Sequence, residues 1–230
     1  MHGSPLSNTW TGGHTGFVAE VPRTRRRSPT RRRAETRERL LDAAFGVFVT
    51  KGFGRARIDD VCRASGYTKG AFYSNFTSLE ELFFALYDRQ SAYGADFTER
   101  VVSESAGSDA RVMVAHWAAH VLIDRDWLLI NTDFVSYAAR FPEVAADLAA
   151  HRRALRRNVT DLIATFIAEK HVRLPETLST PYDLARAIVT VYDGVIYQLL
   201  LDMDEATVRT HFVDIVSALL PGDPADVDGA

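Results

Sequence analysis

The residues best equipped for chemistry in this sequence lie in one short stretch, residues 58–76. Thr68 offers a hydroxyl that can cap a helix, and Lys69 follows it directly. A cation in the first turn of a helix opposes the macrodipole but suits a phosphate. Upstream, residues 23–33 hold seven arginines in 11 positions. Such an arm can follow a phosphate backbone or enter a minor groove, ordering on contact, although a solvated basic tail has the same composition. His116 and His120 stand at i and i+4, a spacing that can hold a metal. No HExxH pattern and no third ligand accompany them, so no metal and no cofactor is expected. No nucleophile–base pair or phosphate-binding loop marks the chain as an enzyme.

The elements around Lys69 read as two short helices joined by a tight turn. Ile58, Val61 and Cys62 recur at helical spacing, and Ser65-Gly66-Tyr67 breaks the pattern. Gly66 can take the positive φ of a sharp turn, and Thr68 starts the second helix. This is the helix-turn-helix pattern. On spacing alone it is equally an ordinary corner of an all-α protein.

The bounds favour a polyanion partner. The chain has 230 residues, 47% hydrophobic and 25% charged, with one cysteine, Cys62. That is normal for a globular protein and leaves no disulfide framework within one chain. The formal net charge of −3 hides an asymmetry: residues 21–78 carry 14 Lys and Arg against 5 Asp and Glu. A basic end on an acidic body suits a polyanion partner for that end. No apolar run approaches the roughly 18 residues of a membrane helix, and no apolar signal core stands at the N-terminus. No membrane association is expected.

Taken in order, residues 1–33 read as a disordered arginine-rich arm. Helix 1 covers about residues 34–50, with Leu41, Ala44, Phe45, Phe48 and Val49 on one stripe. Lys51-Gly52 ends it, and Phe53 is expected to fold under the next two helices. A fourth helix starts near Ser78, and residues 103–109 read as a polar loop. Helices are then expected over residues 110–123, 126–140, 142–170, 181–202 and 204–220, with no strand. The division is 34–80 for a three-helix DNA-binding head, 81–221 for a larger helical body and 222–230 for a flexible tail.

Helix 1, the corner and the start of helix 4 together resemble the DNA-binding domain of the TetR family of transcriptional regulators. Arg37, Leu41, Ala44, Phe48, Gly52-Phe53, Ile58, Val61, Ala64, Ser65-Gly66, Thr68-Lys69-Gly70, Phe72-Tyr73, Asn75-Phe76 and Glu80-Glu81-Leu82 carry the match. The resemblance implies an all-α cytoplasmic homodimer, most simply a repressor. Its two heads would bind a near-palindromic double-stranded DNA operator, and its body a small-molecule effector. In a recognition helix entering the major groove, Thr68 and Lys69 would hold phosphates, with the Gly70 backbone passing close. By resemblance Tyr73 takes a phosphate or thymine-methyl contact. Ser74 and Asn75 share that side; Asn75 can read adenine or cap the helix end. Phe72 and Phe76 are expected in the core. Two positions depart from the pattern. Arg57 replaces a capping Ser or Thr and cannot accept a hydrogen bond, though it can reach a phosphate. Leu79 replaces a lysine that meets the backbone.

In the body, His116, Trp117, His120, Trp127, Asn131, Phe134, Tyr137 and Tyr192 are the candidate ligand contacts. Aromatics with a few polar groups line small-molecule pockets, and they equally fill helical cores. Asp124-Arg125-Asp126 and residues 151–157 read as solvated charge runs. The last two helices carry apolar stripes too long for one partner helix, with Gly194 suited to close approach of another backbone. They are expected to form a four-helix dimer interface.

Overall fold

The computed structural model describes residues 29–104, 110–121, 123–170, 172–201 and 203–220. Residues 1–28, most of the expected loop at 103–109 and the tail at 222–230 lie outside the described residues. Among the described residues the chain is all-α. The head comprises α1 (Pro29–Lys51), α2 (Ile58–Ser65) and α3 (Lys69–Tyr73). The body comprises α4 (Leu79–Glu104), α5 (Ala110–His120), α6 (Arg125–Ala138), α7 (Pro142–Lys170), α8 (Pro181–Leu201) and α9 (Glu205–Ala218).

The boundaries follow local chemistry. Helix α1 begins at Pro29, five residues before the expected start, so residues 29–33 of the expected arm are helical. Proline suits the first helical position because its φ is already set and its missing N–H would have no partner there. An Arg31–Glu35 pair at 3.2 Å supports the next turn. Gly52 ends α1 at φ 77°, and a short 3₁₀ turn (Phe53–Arg55) follows. Gly66, at φ 74°, closes α2 in the left-handed conformation. Ser78 and Glu81 form a reciprocal cap on α4. The Ser78 hydroxyl accepts the Glu81 N–H at 3.1 Å, and the Glu81 carboxylate accepts the Thr77 N–H at 2.6 Å.

The head and body share one core. Leu40, Leu41, Ala44 and Phe48 of α1 meet Val61 of α2 and Phe72 and Phe76 at α3. The same cluster continues into Leu82, Phe83 and Leu86 of α4, Phe134 of α6 and Leu148 of α7. The expected boundary at residue 80 therefore falls at the start of a helix that belongs to both parts. A second core joins α5, α6, α8 and α9 around Leu128, Val195, Val208, Phe212 and Val216. Helix α7 packs along α8 and α4, and α5 along α9.

One expectation about segments is refined and one is corrected. The run at residues 124–126 keeps Arg125 and Asp126 exposed but is also a helix start: the Asp124 carboxylate accepts the N–H groups of Asp126 (2.8 Å) and Trp127 (3.0 Å). Helix α8 is long and apolar enough to cross a membrane by length and composition, with a window of mean hydropathy 1.4. Tyr192, Asp193, Gly194 and Gln198 interrupt its apolar run without lowering that mean enough. In this fold Leu184, Ala185, Val195 and Leu199 are buried against neighbouring helices.

Candidate nucleic-acid interface and ligand cavity

The outward face of the head carries the residues singled out from the sequence. Thr68 caps α3, its hydroxyl accepting the Ala71 N–H at 3.2 Å. Lys69 is exposed and pairs with Asp59 of α2 at 2.8 Å, which holds its ammonium above the ordinary lysine value. A Cβ on Gly70 would meet nothing but the Thr68 hydroxyl at 3.7 Å, so the backbone there opens outward. Tyr73 is 56% exposed, braced edge-on against buried Phe72. The Ser74 hydroxyl donates to the Gly70 carbonyl at 2.8 Å and lies on the surface.

Asn75 is oriented inward. Its Nδ2 donates to the Ala71 carbonyl at 2.8 Å, and its Oδ1 is buried without a partner. Of the two roles open in the sequence, this geometry is that of a helix-end cap. Arg57 is exposed, in extended backbone, and its side chain makes no cap. The Asp60 carboxylate instead accepts the Arg57 N–H at 3.1 Å. The Lys51 ammonium, 2.6 Å away, and that N–H hold Asp60 below the ordinary aspartate value.

Several arginines of α1 support the reading helix rather than facing away from the protein. Arg33 donates to the Ser74 carbonyl (3.1 Å), Arg37 to that of Asn75 (3.3 Å) and Arg39 to that of Ser65 (3.4 Å). They place positive charge at the C-terminal ends of α2 and α3, where the helix dipole favours it. Arg37 also lies 4.3 Å over the Phe76 ring. Sequence reasoning had no local signal for these bonds, which span 26 to 41 residues.

The junction with the body is built on Phe53. This ring is buried in the core it shares with Val61 of α2 and Phe72 of α3, and it reaches into the body as well. It sits 4.6 Å from Phe134 and 4.8 Å from Tyr137 of α6, and 5.2 Å from Phe48. The Phe53 N–H donates to the Asp133 carboxylate, also on α6. The Tyr137 hydroxyl donates to Glu80 at 2.7 Å. That bond and burial push the phenol up to about 12. Burial alone would raise Glu80, but the bonds from Tyr137, from its own backbone N–H and from Ser78 together outweigh it and leave the carboxyl below its ordinary value. Asp133 is a junction residue the sequence reading missed, 80 positions from its partner.

In the body, the structure divides the eight candidate ligand residues into two sets. Trp117, Trp127, Asn131 and Tyr192 line one cavity of about 170 Å³ between α4, α5, α6, α7 and α8. Phe134 is fully buried in the shared core, stacked on Phe83. Tyr137 belongs to the junction. His116 and His120 are exposed on α5 with rings 4.5 Å apart, and His120 Nδ1 bonds back to the His116 carbonyl at 2.8 Å. Among the described residues no group of three potential metal ligands occurs.

The cavity also has charged walls that the sequence reading placed in a solvated run. Arg152 and Arg156 of α7 face it, and Arg152 pairs with Asp193 of α8. Burial raises Tyr87 and Tyr192, which share the lining. His151, from the same run, stacks 4.6 Å from Phe84 and bonds Asp88 at 2.7 Å. The i, i+4 spacing of Arg152 and Arg156 was visible in the sequence, but their direction depends on how α7 packs.

The head and the fold have known counterparts. The profile of bacterial regulatory proteins, tetR family, matches residues 40–86. The HTH-type transcriptional regulator YwcC of Bacillus subtilis, itself uncharacterized, is 26% identical over 191 residues, covering 81% of this chain and 85% of that protein. SrpR, an HTH-type transcriptional regulator of Pseudomonas putida, is 45% identical over 65 residues, which are 28% of this chain and 30% of that protein. Among solved structures, a protein of Mesorhizobium loti ascribed to the TetR family superposes with TM-score 0.65. It is 17% identical, and the match covers 82% of this chain and 96% of that one. The last likeness concerns the fold alone, while the family profile concerns the head. With its helix-turn-helix in place, the head of this chain, residues 40–86, matches the DNA-binding domain of the tetR family of bacterial regulatory proteins.

Proposed function

We propose that this regulator is a cytoplasmic repressor that binds a near-palindromic operator as a homodimer and leaves it when a small molecule fills the cavity of the body. The observation that carries this reading is the double duty of α6. It lines the cavity with Trp127 and Asn131, and about half a turn beyond Asn131 it holds the head through Asp133 and Phe134. A ligand that favours a different seat for α6 thereby favours a different seat for the head. Such a shift is limited to the ligand's difference in affinity for the two states.

On the DNA side, Thr68, Lys69 and the Gly70 backbone meet phosphates, Tyr73 and Ser74 lie against the groove, and Arg57 reaches the backbone. Two heads fit one operator when their recognition helices stand about 34 Å apart, one turn of B-DNA. The dimer is supported by α8 and α9. Tyr182, Tyr197, Leu201 and Ile215 are exposed there, and only 24% of the most apolar window of α8 is buried within one chain. Nothing lies within 4 Å of a Cβ on Gly194, so that surface is open to a second backbone.

The test is selection of bound DNA fragments, then footprinting with and without compounds that bind the body. Two protected half-sites related by two-fold symmetry are expected, with protection lost on ligand addition. Diffuse protection would count against the operator, and identical affinity with and without a saturating ligand against release.

A further inference from the structure

We infer that the effector of this regulator is an amphipathic monocarboxylate, an apolar chain ending in a single negative charge. The inference rests on the proposal that the body binds the effector. The cavity of about 170 Å³ adjoins a second of about 90 Å³, and Thr98, Trp117, Val159, Leu162 and Ile188 line both. The two ends differ in chemistry. The first is lined by Arg152, Arg156 and Asp193, its only charged residues among those described. Arg152 is neutralised by Asp193, whereas no carboxylate among the described residues pairs with Arg156. A half-buried guanidinium with no carboxylate on it among the described residues calls for an anionic partner with hydrogen-bonding oxygens. One uncompensated charge calls for one negative charge, where a phosphate dianion would leave an excess.

The second end is apolar. Val101, Met113, Phe166, Leu184, Val216 and Leu220 enclose it. The polar groups at its edge satisfy each other, Trp117 Nε1 donating to Thr98 Oγ1 at 3.0 Å. Along α7, Arg156 and Phe166 stand about 15 Å apart by helical rise. The site therefore takes a medium-length chain with its head toward the DNA-binding end.

The experiment uses the full chain without DNA and follows tryptophan fluorescence and the thermal midpoint. The probes are decanoate, hexanoate, decyl phosphate, decanol and decyltrimethylammonium, all below their micellar concentrations. Decanoate is expected to bind at least tenfold tighter than any of the other four. Arg156→Gln is expected to weaken decanoate at least tenfold more than decanol, with Arg156→Lys recovering part of the loss. Equal or tighter binding of decyltrimethylammonium, decanol or decyl phosphate would overturn the inference, as would no binding of decanoate. Operator release is measured separately. Decanoate that binds without releasing DNA leaves the ligand class standing and sinks ligand release. Release by a compound of another class, with decanoate unbound, does the reverse.

Discussion

At the scale of single residues, the reading head holds its chemistry in reserve. Lys69 is the cation best placed for a phosphate, yet in the free protein it pairs with Asp59, both side chains more than half exposed. A pair so open to water contributes little to folding and exchanges readily. In the proposed complex DNA replaces the Asp59 carboxylate with a phosphate, and Asp59 stays near as a repelling charge. Lys69→Ala is expected to weaken binding evenly across DNA sequences and to reduce the slope of log affinity against log salt by about one. Asp59→Asn is expected to tighten binding a few-fold. Fluorescence anisotropy over a salt series reads both, and an unchanged slope in the alanine variant would put Lys69 off the backbone. Asn75 has the opposite fate: the side chain with the richest base-reading chemistry has its amide turned into the protein and bonded to the Ala71 carbonyl.

At the scale of elements, the parts legible in the sequence were those set by neighbours in the chain. The Gly66 turn and the Thr68 cap rest on contacts a few residues apart, and the burial of Phe72 and Phe76 follows from their apolar side chains on one face of a short helix. What stayed hidden depends on distant packing. Asp133 gave no sign that it would receive the Phe53 N–H, and the run at 151–157 could not announce that two arginines face a cavity. The helix start at Pro29 was hidden by the arginines around it, which read as a loose arm until α3 supplied carbonyls for Arg33. Gly52 joins the local and the distant. Its φ of 77° suits glycine, and a Cβ there would stand 3.0 Å from an Asp133 carboxylate oxygen. Gly52→Ala is expected to cost more than about 1 kcal/mol through backbone strain and the displaced carboxylate. Asp133→Ala is expected to cost about 1–3 kcal/mol, because it leaves the Phe53 N–H unpaired. Since both act on one junction, the double variant should lose less than the two single losses combined. Urea unfolding of the four proteins measures this, and strict additivity would separate the two residues.

For the whole molecule, the unresolved balance is between α8 and α9 as surface and as interface. A single chain leaves Leu201 80% exposed, Tyr197 61% and Ile215 47%, on the two helices farthest along the chain from the head. Scattered apolar side chains are ordinary on a surface, but several on adjoining helices mark a contact. Joining two bodies there would also tether two heads, so that binding of the first half-site raises the effective concentration of the second head. Leu201→Glu combined with Ile215→Glu tests this at little cost to the fold, because neither side chain is buried within one chain. The variant is expected to sediment as a folded monomer with an unchanged helical spectrum, whereas the wild type sediments as a dimer at micromolar concentration. Its affinity for a full operator should fall to that for a single half-site, while its half-site affinity matches the wild type. A wild type that is monomeric at that concentration, or a variant that keeps full operator affinity, would move the dimer contact away from α8 and α9. The geometry of release would then need another pair of helices to fix the distance between the heads.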